Sequence, residues 1–129
     1  MPQINKVLLV DDEVHIRKYI GLVVKSTLGV TTVIEASNGA EGVDLYKTEQ
    51  PELVLMDINM PVRDGIEALE EILEHDADAI VVMLTSVSTR AAIEKAANLG
   101  ASGYILKDTP REEIGRSLRE LIDEVFGDS

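Results

Sequence analysis

Short runs of aliphatic and β-branched residues alternate along this chain with longer amphipathic stretches, and the spacing of apolar positions changes with each switch. Five runs read as strands: Val7 to Val10, Thr31 to Glu35, Leu53 to Met56, Ile80 to Leu84 and Gly103 to Leu106. They are almost continuously apolar, as parallel strands covered on both faces are. The stretches after them carry apolar stripes at helical spacing. The first holds Ile16, Ile20, Val23, Val24 and Thr27, and the last holds Ile114, Leu118, Leu121, Ile122 and Val125. Turn-forming residues fall between the proposed elements: Ser37-Asn38-Gly39, Pro51, Pro61 with Asp64-Gly65, Gly100 and Thr109-Pro110. Five strand–helix pairs are too few for a barrel of eight and predict one open, doubly wound α/β sheet. Ligands of such sheets sit at the carboxyl ends of the strands, so those ends are where chemistry is to be sought.

Composition narrows the classes. With 129 residues, 45% hydrophobic and 28% charged, the chain can bury a core without covalent staples, and it has none because it contains no cysteine. Disulfides and thiolate metal sites are excluded. No apolar run reaches the roughly 18 residues of a membrane span, and Met1 to Lys6 lacks the order of a secretory signal, so membrane insertion is not expected and the expected location is the cytoplasm. The net charge of -12 argues against direct nucleic-acid binding, because a phosphate backbone would be repelled. Residues 1–84 hold 6 basic and 16 acidic side chains, whereas residues 85–129 hold 6 and 8. The excess acid lies in the first two thirds.

The strand ends deliver polar groups: Asp11-Asp12 after the first strand, Asp57 after the third, Thr85-Ser86 after the fourth and Lys107 after the fifth. Any one of these reads equally as a helix cap, a turn or a solvated side chain. Together they form an edge where three acids, a hydroxyl and an ammonium converge. Two carboxylates about 5 Å apart at an effective dielectric of about 20 repel by roughly 3 kcal/mol, about two pKa units, so a cation is called for. Lys107 supplies one positive charge against three negative ones, and a divalent ion balances the rest. Oxygen donors without His or Cys select a hard ion, Mg²⁺ first and Mn²⁺ as the alternative. A carboxylate beside such an ion, with a lysine and a hydroxyl aimed at the same point, can attack phosphorus and form an acyl phosphate. Asp57 ends a central strand and is the best-placed nucleophile, with Asn59, Met60 and Pro61 continuing into a loop able to offer a carbonyl to the metal.

Five motifs give a family resemblance that spans nearly the whole chain: Val7-Leu8-Leu9-Val10-Asp11-Asp12-Glu13, Leu53 to Pro61 with Asp64-Gly65, Val82-Met83-Leu84-Thr85-Ser86, Gly100-Ala101, and Gly103-Tyr104-Ile105-Leu106-Lys107. The sequence resembles the receiver domains of two-component response regulators, and among them the single-domain members. The resemblance implies a flavodoxin-like (βα)5 fold with strand order 2-1-3-4-5. It implies that Asp57 accepts a phosphoryl group from a sensor histidine kinase or phosphotransfer protein, or from a small phosphodonor. Asp11, Asp12, Asp57 and the Asn59 carbonyl would hold Mg²⁺, with Asp11 acting partly through water. Thr85 and Lys107 would bind phosphoryl oxygens, and Tyr104 would change rotamer as Thr85 moves. The implied output face comprises the helix from Thr89 to Leu99, the fifth strand and the last helix, meeting a downstream protein, an attached output domain or a second copy. Residues 1–129 are read as one such domain, with no output segment in the chain. It would be a switch that catalyses its own phosphorylation and dephosphorylation, and not a conventional enzyme.

One departure concerns the turn after Lys107. Many family members have proline there with a cis bond, but this chain has Asp108. A trans turn is expected, because a cis bond before a non-proline residue costs roughly 3 kcal/mol. Thr109 is expected to cap the last helix and Pro110 to be its first residue. His15 and His75 stand among charged residues on separate helices and are expected to be exposed, and Met56, Met60 and Met83 are expected to pack. Three rival readings are weaker. Dehalogenase-type Mg²⁺ hydrolases need a second Asp where this chain has Asn59. Flavin modules need a hydroxyl- and glycine-rich loop where it has Asp11-Asp12-Glu13. A phosphorylation-independent binding module would not need all five functional residue types.

Overall fold

The computed structural model describes residues 4–126. Five strands and five helices alternate: β1 (Lys6–Val10), α1 (Val14–Leu28), β2 (Thr32–Ala36), α2 (Gly39–Glu49), β3 (Leu53–Met56), α3 (Gly65–His75), β4 (Val81–Thr85), α4 (Arg90–Leu99), β5 (Gly103–Leu106) and α5 (Arg111–Phe126). The strands form one parallel sheet in the order β2-β1-β3-β4-β5. The doubly wound α/β reading and the strand order are both as expected.

The alternation of side chains along each strand builds two cores. Val7, Leu9, Leu53, Leu55, Val82, Leu84 and Ile105 point to one face, where Ile20, Val23 and Val24 of α1 and Ile114, Leu118 and Ile122 of α5 cover them. Leu8, Val10, Val54, Met56, Val81 and Met83 point to the other, beneath α2, α3 and α4 through Val43, Tyr46, Ala68, Leu69, Ile72 and Ala96. Met56 and Met83 are fully buried and Met60 packs at the margin, so all three methionines are packing residues.

β2 and β4 each lie one residue later than their apolar runs suggest. Pairing decides the boundary: Ala36 pairs with Val10 and Thr85 with Leu106, which draws both residues into the sheet. α5 also departs from expectation at both ends. The Pro110 carbonyl accepts from the Ile114 amide at 3.0 Å, so Pro110 occupies the cap position and Arg111 is the first helical residue. A proline lacks the amide of the first turn and costs nothing at either place, so the shift of one residue is cheap. At the far end Val125 is 39% exposed and does not join the buried stripe. Sixteen helical residues span about 24 Å and four strand residues about 13 Å, so the last turn overruns the sheet. Among the described residues there is no cis peptide bond, as expected for the turn after Lys107, and no helix is long and apolar enough to cross a membrane.

Leu69 has no exposed surface, on a helix fixed by a capping box between Asp64 and Glu67. Leu69→Ala should therefore cost about 3 kcal/mol in urea unfolding followed by circular dichroism, with the midpoint falling and the slope unchanged.

Candidate functional site

Ladder hydrogen bonds run on past the strands and fix the backbone of the site. The Asp11 amide donates to the Ala36 carbonyl at 3.0 Å, the Asp57 amide to Val10 at 2.9 Å and the Lys107 amide to Thr85 at 2.9 Å. Arg17, one turn into α1, reaches back to the Asp11 carbonyl at 2.6 Å while pairing with Glu35 of β2 at 2.7 Å. This arginine holds the first loop against the sheet edge, and its hydrogen bond draws the Glu35 pKa below the usual carboxylate value.

The carboxylates meet as the sequence suggests. Asp11, Asp12 and Asp57 each offer an oxygen, and these lie within 4.8 Å of one another. Asp11 and Asp57 are buried, while Asp12 opens to solvent. The Lys107 ammonium sits 2.7 Å from Asp11 Oδ2 and 3.0 Å from Asp57 Oδ2. Backbone amides take the opposite oxygens: Glu13 N donates to Asp11 Oδ1 at 2.9 Å and Ile58 N to Asp57 Oδ1 at 2.8 Å. A donor set of three carboxylates, one open to water, fits a hard divalent cation that keeps part of its hydration shell.

One ammonium serving two buried acids leaves surplus negative charge. Burial pushes the Asp11 pKa up, and the Lys107 hydrogen bond does not fully reverse that shift. For Lys107, burial alone lowers the pKa, but hydrogen bonds to Asp11 and Asp57 outweigh it and leave the ammonium above the ordinary lysine value. The Asp11 shift thus records burial, and the Lys107 shift records two carboxylates around one ammonium.

Two contacts were not foreseen from the sequence. Glu13 brings a fourth carboxylate, with Oε1 3.5 Å from Lys107 Nζ. Four carboxylates against one ammonium and a divalent ion leave one net negative charge, where the sequence count balanced to zero. The residue directly follows the Asp pair, and that adjacency was the available signal. The second contact is the backbone of Val87. Its amide donates to Thr85 Oγ1 at 3.2 Å, and its carbonyl accepts from the Tyr104 hydroxyl at 2.6 Å. Thr85 is fully buried, and it lies two residues beyond Met83 and so on the same face of the sheet as Tyr104. The switch residues named from the sequence are thus joined through the β4–α4 loop. Asn59 is exposed in the loop after β3, and His15 and His75 are exposed on separate helices, the latter edge-on to Tyr46.

That loop after β3 is held at two glycines. The Gly65 amide donates to the Ile58 carbonyl at 2.8 Å and the Gly39 amide to Arg63 at 3.1 Å. Between them Arg63 N closes on the Pro61 carbonyl at 2.7 Å, a tight turn around Val62. Val62 has φ 70 and is 80% exposed, a conformation costing of order 1–3 kcal/mol for a β-branched residue.

Residues 7–119 match the family model described as the response regulator receiver domain. The chain belongs to this family. The receiver domain is 39% identical over 118 residues to the chemotaxis protein CheY of Halobacterium salinarum, covering 92% of this chain and 97% of that protein. It is 32% identical to the nitrate/nitrite response regulator protein NarL of Escherichia coli, covering 88% of this chain but only 53% of that protein. Among solved structures it resembles the CheX-CheY-BeF3-Mg complex from Borrelia burgdorferi, with a TM-score of 0.85 at 30% identity, covering 95% of this chain and 89% of that one. Receiver domains are signalling switches of two-component systems rather than conventional enzymes, and they bind Mg²⁺ at an aspartate cluster of the kind formed here.

Two outcomes follow from the geometry. The stability that Lys107 contributes through its raised pKa is present in full below the ordinary value of 10.5 and is lost as pH rises through the higher folded value. The gap in unfolding free energy between wild type and Lys107→Met should therefore close as the buffer is taken alkaline in a urea series. At Gly65, an added Cβ would stand 1.8 Å from the Asp57 carbonyl oxygen. Gly65→Ala should lower the melting temperature and weaken divalent-cation uptake together, because the backbone carrying Asp57 must move.

Proposed function

We propose that this receiver domain is a phosphorylation-activated switch in which Asp57 is the phosphoacceptor. The observation that carries the reading is a buried carboxylate at the end of a central strand, with Lys107 Nζ 3.0 Å from Oδ2 and two further aspartates within 4.8 Å. An Asp57 oxygen attacks phosphorus of a phosphohistidine on a sensor kinase or phosphotransfer protein, or of a small phosphodonor. The P–O bond to Asp57 forms as the P–N bond breaks and the departing imidazole takes up a proton, or, for an acyl phosphate donor, as the donor's own P–O bond breaks and a carboxylate leaves. Asp11, Asp12, Asp57 and the Asn59 carbonyl would hold Mg²⁺ or Mn²⁺, which when bound offsets the charge of carboxylates and phosphoryl oxygens. Lys107 turns its ammonium from carboxylate to phosphoryl oxygen. Hydrolysis of the acyl phosphate at the same site resets the switch.

Modification replaces one negative charge with about two and calls for further donors. Thr85 supplies one by releasing the Val87 amide and turning its hydroxyl toward the phosphoryl group. The carbonyl of the same residue is held by Tyr104, so displacement of the Val87 backbone is felt by that ring. The readout face is α4, β5 and α5, where Arg90 and Lys95 interleave with Glu94 and Asp108, whereas Arg111 and Arg119 turn to α1, over the Tyr19 ring and onto the Thr27 carbonyl. It suits a mixed-charge protein partner, an output domain or a second copy. In this reading residues 1–129 act as a cytoplasmic receiver unit.

Incubation with acetyl phosphate and Mg²⁺ should add one alkali-labile phosphoryl group, seen by intact-protein mass spectrometry, and Asp57→Asn should abolish it. A modification that survives in Asp57→Asn would place the acceptor elsewhere.

A further inference from the structure

The Glu13 side chain has no role in the scheme above, and its surroundings are unusual. Glu13 occupies the cap position of α1, where its carbonyl accepts from the Arg17 amide at 3.1 Å, yet its side chain makes no capping hydrogen bond. Ser, Thr, Asp or Asn would serve better as a cap. The longer side chain reaches over the site instead, half exposed, and places Oε1 3.5 Å from Lys107 Nζ. The other two anionic partners of that ammonium are Asp11 and Asp57, both in the trio suited to a divalent ion. Lys107 and the cation therefore draw on the same two carboxylates and repel each other, whereas Glu13 stands outside the trio.

We propose that Glu13 is a positioning residue for Lys107, a carboxylate that receives the ammonium when a divalent cation takes up Asp11 and Asp57. This rests on the metal reading above. With Glu13 present, Lys107 yields the shared carboxylates without leaving the site and stays within reach of an incoming phosphoryl group. Without it, the ammonium competes with the cation for Asp11 and Asp57.

Mg²⁺ titration calorimetry on wild type, Glu13→Gln, Lys107→Ala and the double variant, with no phosphodonor present, tests this. Glu13→Gln should weaken Mg²⁺ binding about fivefold, and the same change in the Lys107→Ala background should alter it less than about twofold. Lys107→Gln serves as the second background if Lys107→Ala does not fold. An equal loss in both backgrounds would make Glu13 a plain attracting charge and overturn the proposal, as would no loss in either. If wild type takes up no Mg²⁺, the metal reading falls and the proposal with it. Wild-type binding that Glu13→Gln leaves unchanged removes the proposal alone.

Discussion

Everything at the carboxyl edge of this sheet depends on one partly buried ammonium shared between two buried carboxylates. Burying Asp11 and Asp57 side by side is costly in isolation, and the ladder bonds that place their backbones leave them no freedom to separate. Lys107 makes the arrangement tolerable without making it neutral. The surplus negative charge is what a hard divalent cation would offset, and a better-balanced edge would have less need of one.

The sheet also divides the labour between its faces. Strand parity sends Thr85 and Tyr104 toward the layer of α2, α3 and α4, and the Lys107 ammonium meets Asp11 and Asp57 at the strand ends beside them. The charged groups and the Thr85–Tyr104 pair are thus neighbours in register, since Met83 pairs with Tyr104 and Thr85 with Leu106, yet they are packed by different contacts. The β4–α4 loop joins Thr85 to Tyr104 through the backbone N–H and C=O of one residue, Val87, with no long relay of side chains between them.

The fold was legible because its strands are buried on both faces and its helices on one, and these two burial patterns write different periods into the sequence. The aspartates, Thr85 and Lys107 were legible for the same reason: a residue that ends a buried strand has its place fixed by the sheet. Glu13, Arg17 and the Val87 backbone were not, because their roles depend on which way a side chain turns out of a loop. Val125 was misplaced because periodicity carries no information about where the sheet beneath a helix stops, and the start of α5 because proline is equally at home at the cap and at the first residue.

The loop after β3 is riveted at Gly39 and Gly65, where backbone touches backbone, while Val62 between them projects almost wholly into solvent. Rivets of that kind leave no room for side-chain variation, whereas the residue at the crest is bound only by its own torsion angle. Substitution can therefore change what the crest displays to its surroundings without changing where the Asp57 carboxylate stands.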